Sequence, residues 1–494
     1  MMRLVSLEKI KHFAIAKLAN GRTLHAEFLL DGADTYIKIY SDTDICDDYV
    51  LLDNLDALLT DGTSVTFLQN VRSSDGGTIS GDTRSYFVRL RPSFVTLGPR
   101  HHNCVTKIRS VSFCVNDAHV IYHDTDAFGH IFEAKDCIDG VVESQEKYLG
   151  RTIIRGERPI ISYFTGKSLI FEANTQMGRI SASHSVSKPA SRSDGVQIDS
   201  KIFTTVDLGS PVSMEAVFEI LIVLLRFLEI VAGRRQSIFN IHVQLDHPDE
   251  PFPVELYWCM RPYVRNDASD LDPEELPINA GLDPTQFGMI LTNWVAENHR
   301  RNDARSRFSD CFSKQYRYDV DRIVGAANMF DIMPYSIDSV ILSDDLVSAR
   351  DKTQHLFKEL PESPERNSIL DALGRIGKPS LRKKVQSRVE IILVEAGRYF
   401  PDLPLVVDEA IKCRNYYVHG TRQKLNYSGA SEILVPFFTN TLEFVFSASE
   451  FIEAGWKFEA WRKQGSTMSH PWGRYAVTYA SDLKVLKRHL AGLT

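Results

Sequence analysis

The sequence is sparing with the features that mark familiar chemistries. Across 494 residues it has seven cysteines, an odd number, scattered and without a Cys-x-x-Cys pair. That pattern fits reduced thiols in a cytosolic compartment. No apolar run reads as a membrane span. The longest, Val217 to Ala232, is interrupted by Glu219, Arg226 and Glu229 and reads as a buried helix. Met1 to Lys17 alternates charged and apolar residues and has no cleavable signal pattern. A cytoplasmic protein without membrane attachment is therefore expected. An excess of positive charge is also missing. Lys and Arg number 57 against 64 Asp and Glu, for a net charge of −7. Any nucleic acid must then meet a local basic patch. Gly-rich phosphate loops, nucleophile elbows and His-Glu-x-x-His are absent, and paired carboxylates such as Asp344-Asp345 lack the pattern of a metal nuclease. No cofactor is expected.

What is present suggests two or three domains of ordinary soluble composition, 43% hydrophobic and 24% charged. The expected class is α+β, with a β-rich, sandwich- or barrel-like N-terminal domain before an all-α bundle. Residues 1 to 268 read as strands: Thr23–Leu30, Tyr36–Tyr40, Val65–Val71, Tyr86–Leu90 and Ile108–Val115. Asn20-Gly21, Asp31-Gly32, Asp61-Gly62 and Asp75-Gly76-Gly77 read as tight turns between them. Ser183 to Gly195 reads as a polar loop, and one long helix spans about 212 to 232. Residues 269 to 284, rich in Asp, Glu and Pro, read as a linker. Helical periodicity then dominates 285 to 494. It gives helices at Gln286–Asn298, Asp319–Phe330, Leu381–Phe400 and Leu405–His419, one from Pro436, and a last one carrying Tyr475, Tyr479, Leu483 and Leu486.

Several clusters carry weak chemical signals. His101, His102, Cys104, Cys114, His123 and His130 are of zinc-ligand type, but their spacing matches no standard finger. Core thiols and surface imidazoles are the plainer explanation, and no metal is expected. Arg300, Arg301, Arg305 and Arg307 form a basic run suited to an RNA backbone, or simply a solvated helix end. Arg382, Lys383, Lys384 and Arg388 make a second basic face.

The richest tract is Arg414-Asn415-Tyr416-Tyr417-Val418-His419-Gly420. A guanidinium can hold a phosphate and offset charge building on it, and an imidazole can move a proton near neutral pH. Spacing alone proves little, because Arg179/His184 and Arg350/His355 repeat it and Arg235/His242 nearly does. Only the Arg414 tract closes an amphipathic helix, with an adjacent amide, aromatics and a terminal Gly. Val407, Ile411, Arg414 and Val418 fall on one stripe, so the guanidinium should face another element and an anionic group. Asn415 and His419 lie one turn apart and can meet, letting the amide fix the imidazole tautomer. Gly420 suits the left-handed position past a helix end, and the last-turn position of His419 favours its charged form. Tyr416 and Tyr417 are candidates to stack on a base or to pack. On an ideal helix Arg414 and His419 point about 140° apart. Either the last turn unwinds or two subunits complete one cleft.

The tract Arg414-Asn415-x-x-x-His419, between a long helix and the helix from Pro436, resembles the Arg-x(4–6)-His signature of HEPN-superfamily ribonucleases. The strand-rich half before this helical half resembles ApeA-type proteins of bacterial anti-phage defence. The resemblance implies a metal-independent endoribonuclease. In it the substrate 2′-OH attacks the adjacent phosphate and leaves a 2′,3′-cyclic phosphate. His419 would be general base or acid, Arg414 would stabilise the transition state, and Asn415 would orient the imidazole or contact phosphate. Tyr416, Tyr417, Arg300, Arg301 and Arg305 are candidate RNA contacts. Expected partners are RNA, a second copy in a homodimer or higher homo-oligomer, and a phage-derived trigger. The alternative is a non-catalytic HEPN-like module that binds RNA or nucleotide, or drives assembly.

Overall fold

The computed structural model describes residues 10–18, 21–45, 54–81, 83–98, 100–101, 107–187, 190–192, 195–246, 252–259, 271–334, 343–420, 425–427, 431–463 and 468–492. The chain divides into two units, Met1–Val295 and Ala296–Thr494.

In the first unit, alternating sequence closes a barrel. Its strands are β1 (Ile10–Lys17), β2 (Thr23–Leu30), β3 (Tyr36–Ser41), β4 (Asn54–Leu59), β5 (Ser64–Ser80) and β6 (Thr83–Gly98). They pair antiparallel in the order β6-β3-β2-β1-β4-β5, and β5 returns to β6. Inward residues of each strand, among them Phe28, Ile37, Ile39, Val65, Phe67 and Leu90, fill the interior. Closure leaves no unpaired edge within the ring.

Strand β6 also belongs to a second sheet. One of its edges gives residues 86–90 to β3 and residues 94–97 to β16 (Val254–Trp258). Pro92 sits at the hand-over, opposite Asn70 of β5. The second sheet continues through β15 (Ile238–Leu245), β7 (Ile108–Val115), β14 (Ser200–Val212), β11 (Gly178–Val186) and β10 (Leu169–Thr175). Two short ribbons stand apart from it: β8 (Phe128–Ile131) with β9 (Ile161–Phe164), and β12 (Ala190–Arg192) with β13 (Gly195–Gln197). Helix α1 (Ala118–Ile121) follows β7, and α2 (Lys135–Leu149) buries no residue. Helix α3 (Met214–Ala232) packs with β7 and is apolar on nearly every face. Ser213 caps its start and Gly233 its end.

Three expectations change in this unit. Asp75-Gly76-Gly77 is not a turn but lies inside β5, opposite Phe87 and Tyr86 of β6. A Cβ on Gly76 would stand 3.0 Å from the Phe87 ring, and one on Gly77 would stand 2.8 Å from the Tyr86 ring. The glycines admit cross-strand aromatics rather than a reversal. The stretch from Ser183 holds the end of β11 and the β12–β13 ribbon instead of one loop. The described end of the expected linker is packed, not free: Leu271, Leu276, Ile278 and Ala280 are buried, and Asn279 Nδ2 donates to Val120 O at 2.7 Å. Helix α4 (Pro284–Ala296) joins this unit, because Phe287 inserts among Tyr122, Phe171 and Phe227. The division therefore falls at 295, not between 268 and 285.

The second unit is helical: α5 (Asn298–Phe312), α6 (Val320–Ile332), α7 (Asp344–Glu359), α8 (Pro364–Gly374), α9 (Leu381–Ala396), α10 (Leu403–His419), α11 (Ser431–Glu453), α12 (Phe458–Lys463) and α13 (Pro471–Leu490). Helix α11 is its axis. Leu434, Phe437, Phe438, Leu442, Phe444, Val445, Phe446 and Phe451 are buried around its whole circumference. Helices α5, α6, α9, α10 and α13 pack on it. Pro436 lies inside α11 rather than in its first turn, so its ring removes the bond an N–H would give to the Glu432 carbonyl. A short non-helical link at Pro361 joins α7 to α8. Pro364 opens α8, and Ser343 and Ser363 cap α7 and α8.

Candidate active site

Helix α10 is anchored before it reaches its functional end. Val406, Val407, Ala410, Ile411 and Cys413 are buried. Asp408 takes Gln386 Nε2 at 2.8 Å and also pairs with Arg382, fastening α10 to α9. The apolar stripe then stops. Val418 is 43% exposed, contrary to the pattern read from the sequence, while Arg414 and Asn415 are half-buried and His419 is exposed. Gly420 ends the helix at φ 63° and its N–H reaches Tyr416 O at 2.9 Å, the left-handed cap its position predicts.

The guanidinium and the imidazole meet within one chain. Arg414 Nη1 donates to Asn415 Oδ1 at 3.0 Å and lies 3.3 Å from His419 Nε2. Neither an unwound turn nor a second subunit is needed for the two to touch. The helix runs regularly through His419, and the long arginine side chain bridges the angle. Since a guanidinium only donates, this contact requires Nε2 as acceptor, in the neutral ring. Asn415 thus holds the arginine, and no bond joins it to His419 among the described residues. A third contact comes from α6: Arg414 Nη2 donates to Asn328 Oδ1 at 2.8 Å. Arg414 Nε is buried and meets no partner among the described residues.

No carboxylate pairs with Arg414 among the described residues. The two other pairs of the same spacing end differently. Arg179 binds Asp207 at 2.6 Å, while His184 turns to Ser200. Arg350 pairs with Asp351 and His355 with Glu359. Only the Arg414 pair brings cation and imidazole together free of acids.

The flanking groups are a ring cluster and an unreactive thiol. Tyr416 packs edge-on to Tyr417 at 5.2 Å and against Tyr427 at 5.5 Å, and burial raises the Tyr417 hydroxyl above its ordinary range. Burial pushes the Cys413 thiol up to about 12, which leaves it protonated and inert near neutral pH.

The basic run of α5 lies elsewhere. Arg305 is buried at 2% exposure, with Nε 2.9 Å from Glu450 Oε2. Arg301 binds Glu450 at 2.6 Å and Glu453 at 2.8 Å. Arg388 of α9 joins both acids and Ser449. These cations are neutralised in the bundle interior, so Arg301 and Arg305 do not form the open patch that the sequence suggests. Arg300 stays at the surface, 3.8 Å from Glu297. Of the other basic run, Arg382 is committed to Asp408.

The described members of the His/Cys cluster form no metal-holding group. Cys114 is buried on β7, His101 lies against Val65 O at 3.2 Å, and His130 sits beside Phe132. Among the described residues no group of three or more His, Cys, Asp or Glu is placed to hold a metal ion. His102 and Cys104 lie outside the described residues. Cys114, Cys137, Cys259, Cys311 and Cys413 are free thiols. No described helix is long and apolar enough to cross a membrane.

Sequence reasoning missed Asn328. Its only signal was an amide in the otherwise small and apolar run Gly325-Ala326-Ala327-Asn328-Met329-Phe330.

Two family models match the chain. One, described as ApeA N-terminal domain 1, matches residues 31–294, more than half of the sequence. The other, described as Apea-like HEPN, matches residues 324–459 and so spans Asn328, Arg414, Asn415 and His419. No curated protein and no solved structure matches the chain.

Proposed function

The chain belongs to the ApeA family of HEPN-domain anti-phage defence proteins, and from that premise we propose that its helical unit is a metal-independent endoribonuclease. The observation that carries this reading is the contact of Arg414 Nη1 with His419 Nε2 at an accessible helix end, with no acid cancelling the arginine among the described residues.

A scissile phosphate takes the place of the imidazole on Nη1 and so releases Nε2. His419 accepts the proton of the ribose 2′-OH as its oxygen bonds to phosphorus. Arg414 stabilises the added charge on the phosphorane oxygens. The bond from phosphorus to the 5′-oxygen breaks, that oxygen takes a proton from water, His419 returns its proton to solvent, and the products are a 2′,3′-cyclic phosphate and a 5′-OH. DNA lacks the nucleophile and is inert. Asn415 holds the guanidinium. Tyr416 and Tyr417 offer ring surface for bases and Arg300 a peripheral phosphate contact. The N-terminal unit holds the nuclease to a low but measurable activity until a phage-derived trigger arrives, and the fully active form is a homodimer or higher homo-oligomer in the cytoplasm. Cleavage of RNA then aborts infection.

Purified protein should cleave RNA in EDTA, and sequencing of the fragments should find cyclic-phosphate ends. Arg414→Ala and His419→Ala should each abolish the cuts. Cleavage that survives both substitutions, or that needs a divalent metal, overturns the mechanism.

A further inference from the structure

We infer that Asn328 is a positioning residue for Arg414, and that its neutrality keeps the guanidinium charge available to a phosphate. The inference rests on the nuclease reading above.

Helix geometry alone does not aim Arg414 at His419. Something must draw the guanidinium round the helix and hold it. Asn415 is its neighbour on the same helix and moves with it. Asn328 comes from α6, eighty-six residues away in sequence, and gives the fork a fixed point outside α10. Because a guanidinium presents only donors, the amide atom facing it at 2.8 Å is the oxygen. With Nη2 held there, Nη1 is left facing Asn415 and His419.

The anchor itself is rigid. Asp319 caps α6 by accepting from Arg322 N at 2.8 Å. The Arg322 guanidinium grips both oxygens of Glu443 on α11, each at 2.8 Å. Gly325 lies so close to α5 that a Cβ there would stand 2.4 Å from Cys311 Sγ. Ala326, Ala327, Met329 and Phe330 are buried around Asn328. The backbone that carries its amide is thus fixed to α5 and α11.

The residue type matters as much as its place. A carboxylate at 328 would satisfy the same N–H and cancel the charge that a phosphate must meet, as Asp207 does for Arg179. Both contacts to Arg414 from side-chain oxygens are amides. They orient the cation without discharging it.

The test compares wild type with Asn328→Ala, Asn328→Asp and Arg414→Ala on a short single-stranded RNA bearing a fluorophore and quencher. Binding is measured on the 2′-O-methyl form of the same RNA, which has no nucleophile. Asn328→Ala should lower kcat about 10- to 100-fold with little change in KM, as expected when a reacting group loses its aim. Asn328→Asp should weaken binding of the 2′-O-methyl RNA by about 10-fold or more and cut no better than Asn328→Ala, while its melting temperature equals or exceeds that of wild type. A merely structural amide predicts the reverse order, with Asn328→Asp nearest to wild type in binding and cleavage. That result overturns the inference. If Arg414→Ala binds and cuts like wild type, the nuclease reading itself fails, whatever the Asn328 variants do. A wild type that neither binds nor cuts the probe removes both.

Discussion

Arg305 and Arg414 belong to the same helical unit and meet opposite partners. Arg305 is sealed in the bundle against Glu450, which Arg301 and Arg388 share. Arg414 touches two amide oxygens and an imidazole nitrogen, with no acid among the described residues. One environment consumes positive charge to hold helices together, and the other holds a cation in place with its charge uncancelled. The sequence already ranks the Arg414 tract first, yet it offers the run around Arg305 as a second phosphate contact with nothing nearby to show its acid. The identity of the partner, amide or carboxylate, separates them.

The sharpest way to break this comparison is to remove the Arg414–His419 pair. Arg414→Ala or His419→Ala should lower RNA cleavage by about 100-fold or more. Unfolding midpoints should barely move, because neither group pairs with a buried acid. Calorimetry beside gel-based cleavage checks both halves.

Next in size is the interior cluster. Glu450→Ala leaves Arg301, Arg305 and Arg388 short of their common acid and should cost about 3–5 kcal/mol of stability in denaturant titration. Any loss of cleavage should follow from unfolding and should not mimic the kinetics of Arg414→Ala.

Acid sharpens the same point with a smaller effect. Burial pushes the Glu450 carboxyl up, and Arg305, Arg388 and Arg301 more than reverse it, leaving it below its ordinary value of 4.5. A depressed folded value contributes stability that is present above the unfolded value and lost as pH falls through the folded one. The stability gap between wild type and Glu450→Gln should therefore be flat above pH 4.5 and close below it. Melting curves of both proteins across that range decide this.

The smallest expected effect is that of Arg300→Ala. This surface group is already near Glu297, so RNA affinity should fall by less than about 3-fold and more weakly still at high salt.

Much of the architecture was legible because periodicity is local. Ile108–Val115 and the long helix at about 212 to 232 are where alternation and the 3.6 repeat put them. The end of α10 was legible because a left-handed Gly after Arg, Asn and His leaves few other readings. What failed depended on distant chain. Gly76 and Gly77 mimic a turn until Phe87 and Tyr86 lie across them. Residues near 280 look like a linker until Asn279 is seen bonded to Val120. Asn328 was invisible because no spacing rule connects it to Arg414.

The shared strand β6 has a practical consequence. Its far half is bordered by β5 on one side and β16 on the other, so the ring cannot be excised by cutting the chain after residue 98. Such a fragment would bare the β16-facing edge of residues 94–97, a short template for sticking to other copies. Any attempt to produce the ring on its own must bring residues 254–258 along, or graft a charged or proline-bearing substitute onto that border.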